Sequence, residues 1–366
     1  MKKLKLLSFL MIMVSSLMFI QCTSEPISGP QGLTGIDGVD GVNGVDGVDG
    51  VAGTATCVAC HSESHREPIE ASFLESKHFG NRTRSGSCAA CHSEEGYFAS
   101  LNGTFDEVNY PDASVLSKRT CTTCHSKHST FDFENDGQDY ALRSIGAVEL
   151  TNMPGVTIDF DSTSNNCVQC HQPRDPEPTF EADGTFIVTD ENKTQSPHYG
   201  VNATLLAGIQ GILISGTEAY PGVDDNPHYN LASCTKCHMG EPNTNSQEGF
   251  GDEANGSHAF NPTLNACITC HSDATTFDYR GVQTEVNTLR DKLRDDMEAK
   301  GFTQLSSRGR PELIPGLVLP KAYVEIFWNY YSVYSDKSNG VHNPAYIKAL
   351  LINTTQALEA LPVITP

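Results

Sequence analysis

Apolar residues fall into three unlike patterns along the chain. Leu6 to Ile20 is an almost continuous apolar run that follows Lys2, Lys3 and Lys5. From Thr54 to about Arg280 the apolar positions are scattered among Gly, Pro, Asn, Asp and Ser. No long periodicity survives there, so the stretch predicts irregular coil with short helical pieces. Beyond it, Val282, Val286, Leu289, Leu293 and Met297 recur at helical spacing and predict an amphipathic helix. The aromatic-rich stretch from Lys321 to Tyr334 predicts a second helix. A third opens at Asn343-Pro344, a capping residue followed by Pro at the first helical position, and runs through Leu350, Leu351 and Leu358. The expected fold class is therefore mainly α with much irregular coil, few or no strands, and a C-terminal helical bundle packed against the rest.

The first apolar run reads as a signal peptide over residues 1–21: a charged start, an apolar middle, and too few residues to span a bilayer. Cys22 follows it directly and predicts a lipidated mature N-terminus, although Gln21 stands where a small residue is expected. The alternative is a plain secreted chain. Residues 22–53 then join this anchor cysteine to a stalk in which Gly recurs at every third position from Gly29 to Gly53. The period is that of collagen, whose axis admits only Gly. Pro30 is its one proline, and Asp37, Asp40, Asp46 and Asp49 have no Lys or Arg to offset them. A trimeric triple helix and an extended, solvated spacer both remain open. An extended spacer, at about 3.1 Å per residue, would reach on the order of 70 Å.

The formal charge of −21 argues against nucleic acid or an anionic membrane surface as the main partner. It favours a redox partner that is basic or metal-bearing. Removal of residues 1–21 takes away three lysines and no acid, so the mature charge becomes −24.

The 13 cysteines change the picture most. Twelve lie in six CxxCH motifs: Cys57/Cys60-His61, Cys88/Cys91-His92, Cys121/Cys124-His125, Cys167/Cys170-His171, Cys234/Cys237-His238 and Cys267/Cys270-His271. With Cys22 set aside, none is left for a disulfide. CxxCH is the attachment sequence of c-type haem. Two thiols one short turn apart reach the two vinyl groups of one porphyrin, and the adjacent His lies under the iron as proximal ligand. Zinc is the rival for CxxC pairs, but zinc does not require His after the second Cys six times over. Six covalent haem c groups for the 313 residues after Gly53 leave about 52 residues per haem, so porphyrin would replace much of the apolar core.

Six of the 13 histidines are used by the motifs, and seven remain: His65, His78, His128, His198, His228, His258 and His342. Three share a pattern of His before an aromatic, in Ser-Lys-His78-Phe, Ser-Pro-His198-Tyr and Asn-Pro-His228-Tyr, and His258 lies in Ser-His-Ala-Phe. A lone His is usually a surface or hydrogen-bonded residue. Seven candidates for six irons reverse that expectation, and all seven are candidate distal ligands. Met239, directly after His238, is expected to pack rather than ligate. The aromatics Tyr323, Phe327, Trp328, Tyr330, Tyr331 and Tyr334 are expected in the core, with a haem edge as the alternative. No EF-hand loop, nucleotide-binding glycine loop, GxSxG or independent nucleophile–His pair is present, so no catalytic residue is assigned.

The segment Ser338-Asn-Gly340-Val-His342-Asn-Pro344-Ala-Tyr346 resembles the C-terminal helical region of the multihaem superfamily that includes the ammonia-forming nitrite reductases and hydroxylamine oxidoreductases. That resemblance implies a distal-ligand role for His342. The nitrite reductases usually carry one CxxCK active-site motif, whereas all six motifs here end in His.

The sequence thus predicts an exported, lipid-anchored, periplasmic or cell-surface hexahaem cytochrome. Residues 54–280 hold the haems and residues 281–366 form a helical region packed on them. It would pass electrons along bis-His haems from a membrane or periplasmic donor to a soluble or extracellular acceptor, and more plausibly carries electrons than catalyses a reaction. Two alternatives stand beside it. One is a reductase of nitrite, hydroxylamine or a sulfur oxyanion with one open haem. The other is a polymerising or trimeric structural cytochrome held by its stalk or by a His shared between subunits.

Overall fold

The computed structural model describes residues 55–106, 108–240 and 257–365. The expected signal peptide, Cys22 and the Gly-X-Y stalk lie outside the described residues.

Helices dominate, and most are short. The longer ones are α1 (Glu63–Leu74), α2 (Glu94–Leu101), α3 (Val282–Ala299), α4 (Lys321–Asp336) and α5 (Pro344–Ala360). Strands are few: β1 (Val148–Glu149) pairs with β2 (Thr157–Ile158), β3 (Thr185–Ile187) with β6 (Val318–Pro320), and β4 (Thr303–Leu305) with β5 (Pro311–Leu313), each pair antiparallel. No described helix is long and apolar enough to cross a membrane.

The three C-terminal helices follow the apolar pattern. On α3, Val286, Leu293 and Met297 are buried, with Leu289 half-buried beside them. On α4, the aromatics Tyr323, Phe327, Trp328, Tyr330 and Tyr331 are buried and Tyr334 is half-buried, so the stripe is core. The one polar edge of Trp328 is met, because its Nε1 donates to the Pro176 carbonyl at 3.2 Å. At the start of α5 the Asn343 side chain accepts from Tyr346 N at 3.3 Å, the N-cap expected before Pro344.

The same core runs across position 280. Phe186, Val188, Val201 and Leu205 pack with α3, α4 and α5 in one cluster, and β3 is zipped to β6. Side-chain amides strap residues 212–218 onto the helices. Asn329 on α4 accepts from Ile212 N at 2.7 Å and donates to Ile212 O at 2.9 Å. Asn353 on α5 treats Glu218 likewise, at 3.0 and 2.9 Å. A buried amide that presents both a donor and an acceptor mimics a neighbouring strand and leaves no polar group unmet. A second, smaller core gathers Val148, Leu150, Ile158, Val168, Ala203 and Ala207. It sits under the Cys167 motif.

Candidate haem centres

Each CxxCH lies on or at the end of one short helical turn: Ala55–His61, Ala89–His92, Cys121–Cys124, Asn165–Val168, Ser233–His238 and Leu264–Ile268. Where the turn closes fully, the His backbone N–H bonds to the first Cys carbonyl: His125 to Cys121 at 2.9 Å, His171 to Cys167 at 3.0 Å and His271 to Cys267 at 2.8 Å. Residues i, i+3 and i+4 of such a turn share a face. Two thiols and an imidazole therefore point the same way.

The twelve cysteines are not equally enclosed. Cys60, Cys121 and Cys270 are exposed, and the other nine are half-buried. The Cys57 motif is the most open of the six, because its histidine, His61, is exposed as well. At this motif Val58, Ala59, Cys60 and His61 are all exposed. The reason is position. The Ala55–His61 turn opens the described chain and packs mainly on α1, which follows it directly, with the ring of His128 as its long-range neighbour. Among the described residues Cys60 meets no thiol of another motif, in contrast to Cys91, Cys167, Cys170 and Cys234. Cys60 keeps the spacing of an attachment cysteine but sits at the edge of the protein.

Every motif histidine faces a second histidine ring. His61 pairs with His128, His78 with His171, His125 with His258 and His228 with His271, all at 6.1 Å between centroids. His238 pairs with His342 at 6.2 Å and His92 with His198 at 6.3 Å. Two imidazoles on opposite faces of one metal ion, each bonded at about 2.0–2.1 Å, would place their centroids roughly 6 Å apart. Directly packed rings span about 4.5–7 Å, so the repetition at all six motifs, rather than the distance alone, points to paired ligands. Six of the seven expected distal histidines are thus brought to a motif. The seventh, His65, is exposed on α1 and faces no other histidine ring among the described residues. Proximity in sequence does not decide the pairing. His78 lies ten residues before Cys88 yet meets His171, and His258 lies nine before Cys267 yet meets His125.

Hydrogen bonds fix which nitrogen is free. The Nδ1 atoms of His125, His228 and His238 lie 2.7, 2.6 and 2.8 Å from the carbonyl oxygens of Tyr140, Val341 and Phe260. Those of His128 and His342 lie 2.7 and 2.6 Å from carboxylate oxygens of Asp139 and Asp336. A carbonyl or carboxylate oxygen only accepts, so each Nδ1 carries the proton and each Nε2 keeps its lone pair. This is the arrangement that orients a metal-ligating imidazole. His92 differs: its buried Nδ1 has no acceptor among the described residues. Burial, helped by neighbouring cations and histidines, holds the pKa of His78 down to about 3 and that of His92 down to about 4. Burial, with the facing histidine next in weight, holds His238 and His258 down to about 4. These rings are neutral in ordinary buffers, as ligation requires.

The six pairs adjoin one another. The Cys91 thiol touches that of Cys170, and the Cys167 thiol touches that of Cys234. Cys124 reaches Asn166 beside the same motif. Arg119 donates to the Cys91 carbonyl at 2.7 Å and to the His78 carbonyl at 3.2 Å, joining the second motif to the ring that faces the fourth. One short segment serves three pairs. His258 faces His125, the Phe260 ring lies 4.5 Å from His78, and the Phe260 carbonyl receives His238. A polar chain joins two more rings. His171 Nδ1 lies 2.9 Å from Asn202 Oδ1, Asn202 Nδ2 donates to Asp336 O at 2.8 Å and to Asp336 Oδ1 at 3.2 Å, and Asp336 Oδ1 meets His342.

The residues present fit c-type haem. They do not fit zinc: among the described residues no cluster of three or more His, Cys, Asp or Glu gathers in a metal-holding group.

No family model matches the chain, and no curated protein is similar to it. Among solved structures it is similar to the crystal structure of the outer cell wall cytochrome OcwA, at 22% identity and a TM-score of 0.44, over 79% of this chain and 50% of that one. The chain thus spans about half the length of that protein.

Asn202, Asp139, Asp336 and Phe260 were not singled out from the sequence. Nothing in their local spacing marks them, and each meets its histidine through a loop or across 6 to 31 residues. The loop glycine Gly340 shows why the Ser338–His342 segment fits. Its φ is +98°, and a Cβ there would lie 2.5 Å from Val286 Cγ2 on α3.

Proposed function

We propose that the chain is an exported hexahaem c-type cytochrome that carries electrons along six bis-His haems. The observation that carries this reading is that all six motif histidines face a second histidine at 6.1–6.3 Å. Haem c held there supplies reversible one-electron iron chemistry.

The chain's own residues do the rest. The paired cysteines of the six motifs, Cys57 and Cys60 through Cys267 and Cys270, hold the porphyrins covalently. His61, His92, His125, His171, His238 and His271 supply the proximal nitrogen, and His128, His198, His258, His78, His342 and His228 close the opposite faces in that order. Closed faces exclude substrate, which favours a carrier over a reductase with an open haem. They also leave no open position for His65 of a second copy, which weighs against assembly through a shared histidine. The thiol contacts support a row in which the Cys88, Cys167 and Cys234 motifs follow one another, and the electrostatic influence of the Cys267 and Cys270 thiols on Cys237 supports the Cys267 motif next to it. The Cys121 motif would join at Cys167, and the Cys57 motif through His128. The exposed Cys60 side of the Cys57 motif would make that haem the one an external partner reaches most directly.

A signal peptide at 1–21, lipidation at Cys22 and a spacer at 29–53 would hold this domain away from a membrane, at the periplasmic or cell-surface side. The acidic surface suits a basic or haem-bearing redox partner rather than nucleic acid.

The deciding experiment is an EPR spectrum of the oxidised protein together with a haem count per chain. Six haems with low-spin ferric signals alone are expected. A high-spin signal near g of about 6 that responds to nitrite or hydroxylamine would establish an open haem and replace the carrier reading.

A further inference from the structure

The polar chain His171–Asn202–Asp336–His342 joins the proximal ring of one centre to the distal ring of the next. Asp336 closes helix α4 and is 2% exposed. Among the described residues no lysine or arginine lies in hydrogen-bond contact with its carboxylate. Its contacts are His342 Nδ1, the Asn202 amide and the Ser338 hydroxyl. Burial of a carboxylate costs several kcal/mol unless donors surround it, so this group is retained against a cost.

The chain has one direction. An ionised carboxylate only accepts, so the Asn202 side-chain nitrogen must face Asp336. That turns the Asn202 oxygen toward His171, whose Nδ1 must then donate. His342 likewise donates to Asp336. One carboxylate therefore sets the tautomer of two rings, one through direct contact and one through an amide. A full negative charge on the Nδ1 proton of His342 makes that imidazole a stronger donor at Nε2, while His171 receives only the weaker pull of a neutral amide oxygen.

We propose that Asp336 and Asn202 are positioning residues that set unequal reduction potentials at adjacent haems, lowering that of the Cys234/Cys237 haem below that of the Cys167/Cys170 haem and so giving electron flow between them a preferred direction. This rests on the hexahaem reading above. No bond forms or breaks, and the Nδ1 proton stays between ring and carboxylate; the electron enters from the redox partner or, in the test, from dithionite.

The test is an EPR-monitored redox titration of the full haem-loaded protein and two variants. The two centres can be told apart, because the ring planes meet at 43° in His238/His342 and at 75° in His78/His171. Asp336→Asn keeps the shape and an acceptor but removes the charge. It is expected to shift the ferric–ferrous equilibrium of one small-angle centre at least tenfold toward ferrous, about 59 mV for a one-electron couple. Asn202→Ala is expected to move the two centres in opposite directions. The His171 centre rises as its Nδ1 loses its acceptor, and the His342 centre falls as Asp336 loses a donor. Rises or falls together, or no shift with all six haems low-spin, would overturn the bridge and leave the carrier reading intact. Fewer than six low-spin haems in the unaltered protein would overturn both. Should Asp336→Asn lose haem, the opposite shifts in Asn202→Ala decide alone.

Discussion

Phe260 offers its carbonyl oxygen to His238 Nδ1 at 2.8 Å while its ring lies 4.5 Å from His78. The residue holds a left-handed backbone, with φ at +58°, which a bulky side chain adopts only when its surroundings impose it. Two rings from different histidine pairs are thus held by one strained residue. Phe260→Ala is expected to keep the carbonyl contact and lose the ring. Stability should fall by about 1–3 kcal/mol for a half-buried aromatic, read as the midpoint of denaturant unfolding. The EPR signal of the His78/His171 centre should shift while the haem count stays at six. An unchanged signal would show that the ring does not orient His78.

The ring angles predict the form of the spectrum. The planes meet at 75–85° in His61/His128, His78/His171, His92/His198 and His228/His271, and at 36° and 43° in His125/His258 and His238/His342. Crossed imidazoles leave the two iron orbitals that hold the unpaired electron nearly degenerate; more parallel rings split them. Four strongly anisotropic low-spin species and two rhombic ones are therefore expected in low-temperature EPR. Six rhombic species would contradict the ring geometry.

His65 and His198 should separate ligand from bystander. His65→Ala removes an exposed ring that faces no histidine, and the ferric optical and EPR spectra should keep six low-spin haems. His198→Ala removes the ring opposite His92 and should convert one haem to high spin. The reverse result would reassign the ligand.

Asp278 gives a pH dependence that is independent of the haems. Its carboxylate accepts from the Thr284 hydroxyl, from Gln283 N at 2.8 Å and from Thr284 N at 3.2 Å, capping the start of α3. The Thr284 hydroxyl first, and the two backbone N–H groups after it, hold this carboxyl below its usual range against the opposing effect of burial. A depressed folded pKa adds stability above the unfolded value of about 3.9, and that stability is lost as pH falls through the folded pKa. Asp278→Ala should lower stability by about 1 kcal/mol at pH 7 and make the melting temperature less sensitive to acid below about pH 4. Equal acid sensitivity in both proteins would remove the cap from the account.

The C-terminal core should behave as an ordinary one. Leu350 and Leu293 are fully buried between α3, α4 and α5. Either Leu→Ala change should cost about 2–5 kcal/mol. It should also loosen the Ser338–His342 loop, so the His238/His342 signal is expected to broaden first on mild heating.

Much was legible in the sequence because it depends on neighbours along the chain. The six CxxCH turns, the helix from Val282 and the capped helix at Asn343 are short-range patterns, and each is a helical turn in the structure. The aromatic stripe of α4 announced a buried face through its own periodicity. The surplus of histidines announced partners for the motifs by number alone. What no spacing could supply was which histidine meets which motif, or which motif is covered. His342 faces His238 across 104 residues, and His258 faces His125 across 133. Cys60 and Cys91 hold the same place in identical motifs, yet one is exposed and the other half-buried against Cys170. An irregular chain with few strands carries no register to propagate such pairings. Asn202, Asp336 and Phe260 became visible only once α4 had packed on the Asn202–Leu206 turn and the 257–260 segment had closed over His78. Local hydrogen bonding and hydrophobic period write helices and CxxCH turns into sequence, whereas the histidine pairs and the buried carboxylate between them are consequences of long-range packing, which only the tertiary structure decides.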